Sequence, residues 1–168
     1  MDFQDLPKDI AFRDEIRSFL AEELPAEIGN RAPEWGLFNT ATLQTASFRE
    51  FLKSWTAKLN ARGWGAPHWP REYGGGGLTV REQFILNEEL AWARAPRSGG
   101  IGHGWVAPTI MTYGTPEQKS EYLPKILSGE HRWCQLFSEP GAGSDLASLQ
   151  ARAVQDGDDY VVTGQKIW

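Results

Sequence analysis

The stretch HRWCQLFSEPGAGSD, residues 131–145, lies between two different sequence patterns. Before it, apolar residues recur every three or four positions, a spacing typical of amphipathic helices. After it, short runs at 150–154 and 160–162 are typical of strands, and the DGDD sequence between them at 156–159 is typical of a hairpin turn. The chain is therefore predicted to be mainly α, with a helical bundle followed by β-strands.

The helical part is predicted from apolar stripes, capping boxes and helix-breaking residues. Thr79 with Glu82, and Thr115 with Gln118, have the spacing of a capping box, which satisfies free N–H groups at the start of a helix. Pro124 is expected to interrupt the last helix and to start a second short one. Helices are expected over about 9–24, 48–59, 79–93, 105–113 and 115–129.

The stretch GWGAPHWPREYGGGG, residues 63–77, is predicted to be a long irregular connection. Its prolines and glycines break both helix and strand. The four consecutive glycines at its end fit either a close approach to a ligand or a mobile turn, and the sequence leaves both open.

The β part is predicted to be incomplete. WCQLF at 133–137 is short and rich in β formers, and a further strand is expected to begin at Gln165. Such a set of strands, the last of which is cut short, cannot close a barrel or bury a core on both faces. We therefore expect a truncated chain, with an all-helical domain over 1–130 and the first strands of an incomplete β-barrel or meander domain over 131–168.

Composition argues against several classes of protein. The formal net charge is −5, whereas binding of nucleic acid requires a basic face. No apolar run has the length of a membrane helix and the N-terminus is unlike a targeting peptide, so a cytoplasmic protein is expected. The three histidines are scattered, so no metal site is expected. The single cysteine, Cys134, is expected to be a small buried residue in a strand.

The loop SEPGAGSD, residues 138–145, carries the candidate binding groups. It does not match the glycine patterns of a Rossmann dehydrogenase, a P-loop or a serine hydrolase. Free N–H groups around Gly143, together with the hydroxyl of Ser144, can form an anion-binding nest for a phosphate. The alternative is an ordinary turn in which such side chains bond to their own backbone. Glu139 and Asp145 are expected to have loop or capping roles.

Several stretches of the chain, in the same order, resemble the acyl-CoA dehydrogenase family. They include GWGAPHWPREYGGGG, the EEL sequence at 88–90, SEPGAGSD, and the G-x-K-x-W sequence at 164–168. The resemblance corresponds to that family's N-terminal helical domain and the first part of its middle β domain. It implies an oligomeric FAD enzyme, homo- or heteromeric, that oxidises an acyl-CoA to the 2,3-enoyl-CoA and passes electrons to an electron-transfer flavoprotein.

The resemblance also implies roles for individual residues. Gly143 and Ser144 are expected at the FAD pyrophosphate, with Ser144 also near the CoA of the substrate, and Trp168 is expected beside the flavin. The residues expected to line the flavin ring are Gln135, Leu136, Phe137 and Ser138. The segment 97–105 lies where family members line the acyl pocket, although a surface loop fits its glycines and His103 equally well.

The resemblance leaves the catalytic residue and the exact reaction open. The family's catalytic base is a glutamate in a C-terminal domain that this chain does not contain, so we nominate no catalytic residue. A flavin-dependent monooxygenase or oxidase on the same scaffold is one alternative, although the SEPGAGSD loop favours a dehydrogenase. A non-catalytic partner subunit of a heteromeric dehydrogenase is the other.

Overall fold

A computed structural model describes residues 4–29 and 45–167. The chain divides into two compact units, Met1–Arg132 and Trp133–Trp168. The first unit is helical and the second contains a two-stranded antiparallel sheet, which confirms the predicted fold class. The helices are α1 (Pro7–Glu23), α2 (Ala26–Gly29), α3 (Ala46–Ala61), α4 (Val80–Trp92), α5 (Ala107–Tyr113) and α6 (Pro116–Ser128).

The core of the helical unit is formed by the predicted apolar stripes of α1 and α3, together with α4. Ile16 and Leu59 have no exposed surface, and Trp55 is almost fully buried. Phe19 joins the helices through its ring, whose centroid lies 5.3 Å from that of Trp55 and 5.2 Å from that of Trp64. Aromatic contacts at these distances add to the stabilisation that burial of apolar area provides.

The predicted capping boxes at the starts of α4 and α6 are present. The hydroxyls of Thr79 and Thr115 accept hydrogen bonds from the N–H groups of Glu82 and Gln118, whose side chains accept from the threonine N–H groups. These reciprocal bonds satisfy N–H groups that have no partner within the helix. Local side-chain chemistry therefore determines where both helices begin.

The predicted break at Pro124 is wrong, because α6 continues through this residue to Ser128. A proline inside a helix removes one backbone hydrogen bond. Leu123 and Ile126, on either side of it, are each only 1% exposed, and Asn60 donates from Nδ2 to the carbonyl of Leu127 over 2.9 Å. Packing against the rest of the unit offsets the lost bond, as tertiary contacts commonly do for short helices.

The four-glycine sequence approaches its own backbone closely. The N–H groups of Gly76 and Gly77 donate to the carbonyls of Ala66 and Trp69 over 3.1 and 2.9 Å. A Cβ at Gly63, where φ is +72°, would lie 2.6 Å from the Cα of Gly76. The glycines therefore allow two backbone segments to touch, a packing role that the sequence analysis did not predict.

Replacing Gly63 with alanine is expected to lower the free energy of unfolding by about 2–4 kcal/mol. A left-handed conformation costs an alanine about 1–2 kcal/mol, and overpacking against the backbone of Gly76 adds about 1–3 kcal/mol. Urea unfolding of the variant measures this loss. Gly104→Ala is the control, since no atom lies within 4 Å of its Cβ position and its effect should stay within about 0.5 kcal/mol. Equal effects of the two substitutions would contradict this account of the glycine packing.

Helices α1 and α4 are also joined by ion pairs around a buried carboxylate. Glu89 is 5% exposed and accepts hydrogen bonds from Arg13 Nη1 and from Arg17 Nε, each over 2.8 Å. Arg13 also pairs with Asp5 over 2.6 Å and with Glu88 over 2.5 Å. The carboxylate of Glu89 is thus compensated by two guanidinium groups from the facing helix, as a buried charge requires.

The second unit contains the hairpin formed by β1 (Arg152–Asp156) and β2 (Asp159–Thr163). Its register pairs Asp156 with Asp159 across the predicted turn, in which Gly157 has a φ of +63°. The predictions of strands at 133–137 and from Gln165 onward are wrong for the described residues, which show no regular structure there. These segments have no described strand to pair with, and an isolated strand is not stable. Cys134, predicted to be buried, is exposed.

Candidate functional site

The candidate binding loop begins with a tight turn. The N–H of Glu139 donates to the carbonyl of Ala142 over 2.9 Å, and the N–H of Ala142 donates back over 3.1 Å. Pro140 and Gly141 occupy the two central positions, where a proline with its fixed φ is favoured first. This turn sets the direction in which the chain leaves Ala142 and enters Gly143.

Three successive N–H groups follow the turn, those of Gly143, Ser144 and Asp145. None donates to an acceptor within residues 4–29 or 45–167. Gly143 and Ser144 are exposed, and no atom lies within 4 Å of the position that a Cβ would take at Gly143. Consecutive free N–H groups with a neighbouring hydroxyl bind anions, so the chemistry of these donors fits a phosphate or diphosphate group.

Asp145 does not take the capping role predicted for its side chain. Its carbonyl oxygen accepts a hydrogen bond from the Ser148 hydroxyl over 2.8 Å, at the start of a short 3₁₀ turn, Leu146–Ser148. The carboxylate makes no capping hydrogen bond with any described residue. A single 3₁₀ turn has few free N–H groups, so it gives a capping carboxylate little to bind.

Among the described residues of this unit, Glu139 is the buried charged residue, with 8% of its surface exposed. Its carboxylate accepts hydrogen bonds from the N–H groups of Gln150 and Ala151 over 2.7 and 2.9 Å, and from Lys166 Nζ over 2.9 Å. The bond from Gln150, followed by those from Lys166 and Ala151, lowers the pKa of Glu139 to about 2. The group is therefore ionised at neutral pH, with both oxygens occupied.

The segment before the turn is joined to the segment after the hairpin. Lys166 donates from Nζ to the carbonyl of Phe137 over 2.9 Å, and the N–H of Ile167 donates to the carbonyl of Ser138 over 3.2 Å. These bonds bring the SEPGAGSD sequence and the G-x-K-x-W sequence together. The sequence analysis predicted only a loop or capping role for Glu139 and no role for Lys166. The lysine of the G-x-K-x-W sequence was the one feature that could have indicated this contact.

The other predicted flavin-lining residues lie along this junction. Gln135 and Ser138 are half-buried, whereas Leu136 and Phe137 are 55% and 52% exposed. Large apolar side chains exposed next to open backbone groups suit contact with a ligand, although their role toward FAD stays a prediction. Trp168 lies outside the described residues.

A separate cavity of about 210 Å³ lies in the helical unit, between α3, α4 and the segment 97–104. Residues 102–106 form a π-helical turn, and His103 within it is only 8% exposed, so the alternative of a surface loop is wrong for this residue. The indole N–H of Trp69 donates to the carbonyl of His103 over 3.0 Å and holds this turn. Lining residues include Gln83, Leu86, Asn87, Leu90, Ser98 and His103.

Two buried polar atoms at the cavity have no hydrogen-bond partner among the described residues: His103 Nε2 and Ser98 Oγ. Burial, and to a lesser extent the neighbouring His68, lowers the pKa of His103, so its ring is neutral at physiological pH. Unsatisfied buried polar groups are costly, which favours a polar molecule or substrate group beside them. The cavity is thus mostly apolar with two polar groups available.

Comparison with known proteins identifies relatives of this chain. The model of the family described as "Acyl-CoA dehydrogenase, N-terminal domain" matches residues 7–130. Acyl-CoA dehydrogenase FadE26 of Mycobacterium tuberculosis is 42% identical over 166 residues, which are 96% of this chain and 38% of the relative.

Solved structures are also similar to this chain, over the residues of both of its units. The ChsE4–ChsE5 complex from Mycobacterium tuberculosis matches with a TM-score of 0.71 and 40% identity, over 100% of this chain and 40% of that one. A structure described as the Tcur3481–Tcur3483 steroid ACAD matches with a TM-score of 0.69 and 38% identity, over 99% of this chain and 41% of that one. The chain spans about 40% of the length of these relatives, and it belongs to the acyl-CoA dehydrogenase family.

Proposed function

We propose that this chain is part of an FAD-dependent acyl-CoA dehydrogenase and supplies its helical domain and a flavin-binding loop of its β domain. In the reaction an acyl-CoA loses a proton from its α carbon and a hydride from its β carbon, which forms the 2,3-enoyl-CoA. The electrons then pass to an electron-transfer flavoprotein. The observation that carries the proposal is the set of three free N–H groups at Gly143, Ser144 and Asp145, in a chain of this family.

The loop residues would hold the cofactor through its charged part. The free N–H groups and the Ser144 hydroxyl suit the pyrophosphate, and Ser144 also suits the CoA of the substrate. The exposed side chains of Leu136 and Phe137, with Gln135 and Ser138 beside them, suit the flavin ring. When bound, the flavin supplies the two-electron oxidising group that protein side chains lack.

We assign the catalytic base to none of the described residues. Glu139 is the buried carboxylate of the second unit, but Lys166 and two backbone N–H groups occupy both of its oxygens. A base must reach the substrate proton with a free oxygen. Glu139 is therefore not proposed as the base.

The cavity beside His103 is proposed to take part of the acyl group. Apolar surface makes up the larger part of its lining, while His103 Nε2 and Ser98 Oγ offer two hydrogen-bonding groups. Pockets of this composition bind largely apolar ligands that carry a few oriented polar atoms. The similarity to a steroid acyl-CoA dehydrogenase supports a bulky, oxygen-bearing acyl group as the substrate class.

A second candidate function is that of a partner subunit in a heteromeric dehydrogenase, in which this chain helps to form a site with another chain. The observation that favours it is that two of the similar solved structures are described as pairs of proteins, ChsE4–ChsE5 and Tcur3481–Tcur3483. Purified alone, such a subunit would bind flavin without turning over acyl-CoA.

An assay of acyl-CoA oxidation tests the proposed function. The complete polypeptide that carries this sequence is purified with FAD and incubated with steroid-derived and straight-chain acyl-CoAs and an artificial electron acceptor. Mass spectrometry is expected to show a product that has lost two hydrogens, and formation of this product should depend on the acceptor.

Three outcomes distinguish the candidate functions. Flavin binding without product, which then appears when a partner chain is added, identifies the partner-subunit function. A polypeptide that retains no flavin and forms no enoyl-CoA with any partner contradicts both. Product that instead contains an added oxygen atom indicates the monooxygenase alternative.

A further inference from the structure

We propose that Glu139 is a positioning residue for flavin binding: with Lys166 it forms a buried latch that holds the turn at 139–142 and so orients the N–H groups of 143–145. The latch is defined as the Glu139 carboxylate, the Lys166 ammonium group, and the N–H groups of Gln150 and Ala151. This inference deepens the proposed function and rests on it.

The latch joins three separate segments of the second unit. Glu139 Oε2 accepts from the N–H of Gln150, and Oε1 accepts from the N–H of Ala151 and from Lys166 Nζ. The backbone of Glu139 pairs at the same time with Ala142 in both directions. A single residue thus fixes the turn at its backbone and anchors it to the hairpin at its side chain.

The two segments that donate to the Glu139 side chain, around Ala151 and Lys166, are themselves closely packed. A Cβ at Gly164 would lie 2.6 Å from the Cβ of Ala151, so the chain that leads to Lys166 touches the segment that donates to Glu139. Immediately beyond Ala151, Arg152 pairs with Thr163 in the hairpin register. The hairpin holds both segments that donate hydrogen bonds to Glu139. A shift of Glu139 relative to them therefore breaks these hydrogen bonds, since neither segment can follow it as a flexible loop would.

Chemistry requires a carboxylate at this position. Two N–H groups and an ammonium group converge on Glu139, and all of them are donors. A glutamine has nearly the same size, but its amide NH₂ cannot accept, so one converging donor would lose its partner. The ammonium of Lys166 lies in a side chain that is 24% exposed, and it depends on Glu139 for its charge partner.

The conformation of the turn determines the direction of the free N–H groups that follow it. Gly143 follows Ala142 directly, so a change in the turn redirects the N–H groups of 143–145. Binding groups must be held within a fraction of an ångström to act together, and groups supported by a second layer of hydrogen bonds are held best. The latch provides that second layer.

The test measures FAD affinity and flavin geometry in the complete polypeptide, by FAD titration and by visible circular dichroism of the bound flavin. Glu139→Gln and Lys166→Met are expected to raise the FAD dissociation constant about tenfold or more, because small misplacements of binding groups have effects of this order. At saturating FAD the dichroism should also change. Lys166→Arg, which keeps the charge, is expected to restore both properties to near wild-type values.

Asp158→Asn in the hairpin turn is the matched control, since it removes the same charge from the same unit outside the latch. A second measurement needs no flavin: hydrogen exchange at Gln150 and Ala151, whose amides should lose protection in Glu139→Gln but not in the control. If Glu139→Gln binds FAD as tightly as wild type, the positioning role is wrong.

The two proposals fail in different ways. A wild-type polypeptide that binds no FAD contradicts the proposed function, and the latch is then judged by hydrogen exchange alone. Loss of protection at Gln150 and Ala151 in Glu139→Gln supports the latch in that case, and unchanged protection overturns it.

Discussion

Replacing Glu89 with alanine is expected to lower the free energy of opening of α1 and α4 by about 3 kcal/mol. Removing one partner of a buried ion pair typically costs about 3–5 kcal/mol, because the other charge stays buried without compensation. For Glu89→Ala we expect the lower end of this range, for two reasons. Arg17 has a side chain that is 59% exposed and can be hydrated, and Arg13 keeps its pairs with Asp5 and Glu88.

Native-state hydrogen exchange of the amides in α1 and α4 measures this loss locally, within the complete polypeptide. Glu88→Ala is the matched control, since Glu88 is the adjacent carboxylate and also contacts Arg13 but has a side chain that is 34% exposed. Its effect should stay at or below about 1 kcal/mol, as for exposed ion pairs. Equal losses in the two variants would contradict the role given to the buried charge.

The same residue gives a pH dependence with a defined sign. Burial alone would raise the pKa of Glu89, but the hydrogen bonds from Arg17 and Arg13 outweigh it, so the pKa lies below the usual value for glutamate. The stabilisation is therefore present above the pKa of an unfolded glutamate and is lost as the pH falls through the folded value. The gap between wild type and Glu89→Ala should narrow on acidification over that range, whereas a constant gap would argue against ionisation as its source.

Replacing Trp69 with alanine is expected to cost about 3–5 kcal/mol, the range found for removal of large buried aromatic side chains. Trp69 is 1% exposed, and its ring lies against that of His103 with a centroid distance of 5.5 Å. Its indole N–H donates to the carbonyl of His103 in the π-helical turn. The substitution therefore removes packing area and a buried hydrogen bond at the same time.

Trp69→Phe separates these two contributions. It keeps most of the ring and removes the N–H donor, so a loss of about 1–3 kcal/mol is expected from the carbonyl left without a partner. Urea unfolding of both variants provides the measurement. A phenylalanine variant as unstable as the alanine variant would show that the hydrogen bond, not the packing, dominates at this site.

The helices were predictable because their signals are local. Thr79 and Thr115 satisfy N–H groups only three residues away, and the stripe of α3 lies on one helix face. The strands were harder to predict, since pairing depends on a partner elsewhere in the chain. The DGDD turn brings β1 and β2 together locally and was predicted, whereas 133–137 has no such neighbour.

The position of the free N–H groups in the candidate loop was predictable, but the hydrogen bonds that support this loop were not. The glycine and hydroxyl pattern at Gly143 and Ser144 indicated an anion-binding loop, and the structure shows free N–H groups there. Glu139 and Lys166 each lie in a short sequence that was singled out, but their hydrogen bond joins residues 27 positions apart, and no local pattern pairs them. Burial of His103 was not predicted, because the glycines around it are also typical of surface loops.

The most direct test of the central claim is an experimental structure of the complete polypeptide with FAD. We expect pyrophosphate oxygens within about 3 Å of the N–H groups of Gly143 to Asp145, with the flavin ring beside Phe137 and Ser138. The bonds of Glu139 to Gln150, Ala151 and Lys166 should be unchanged. A pyrophosphate bound elsewhere, with these three N–H groups facing solvent or another part of the protein, would contradict the claim.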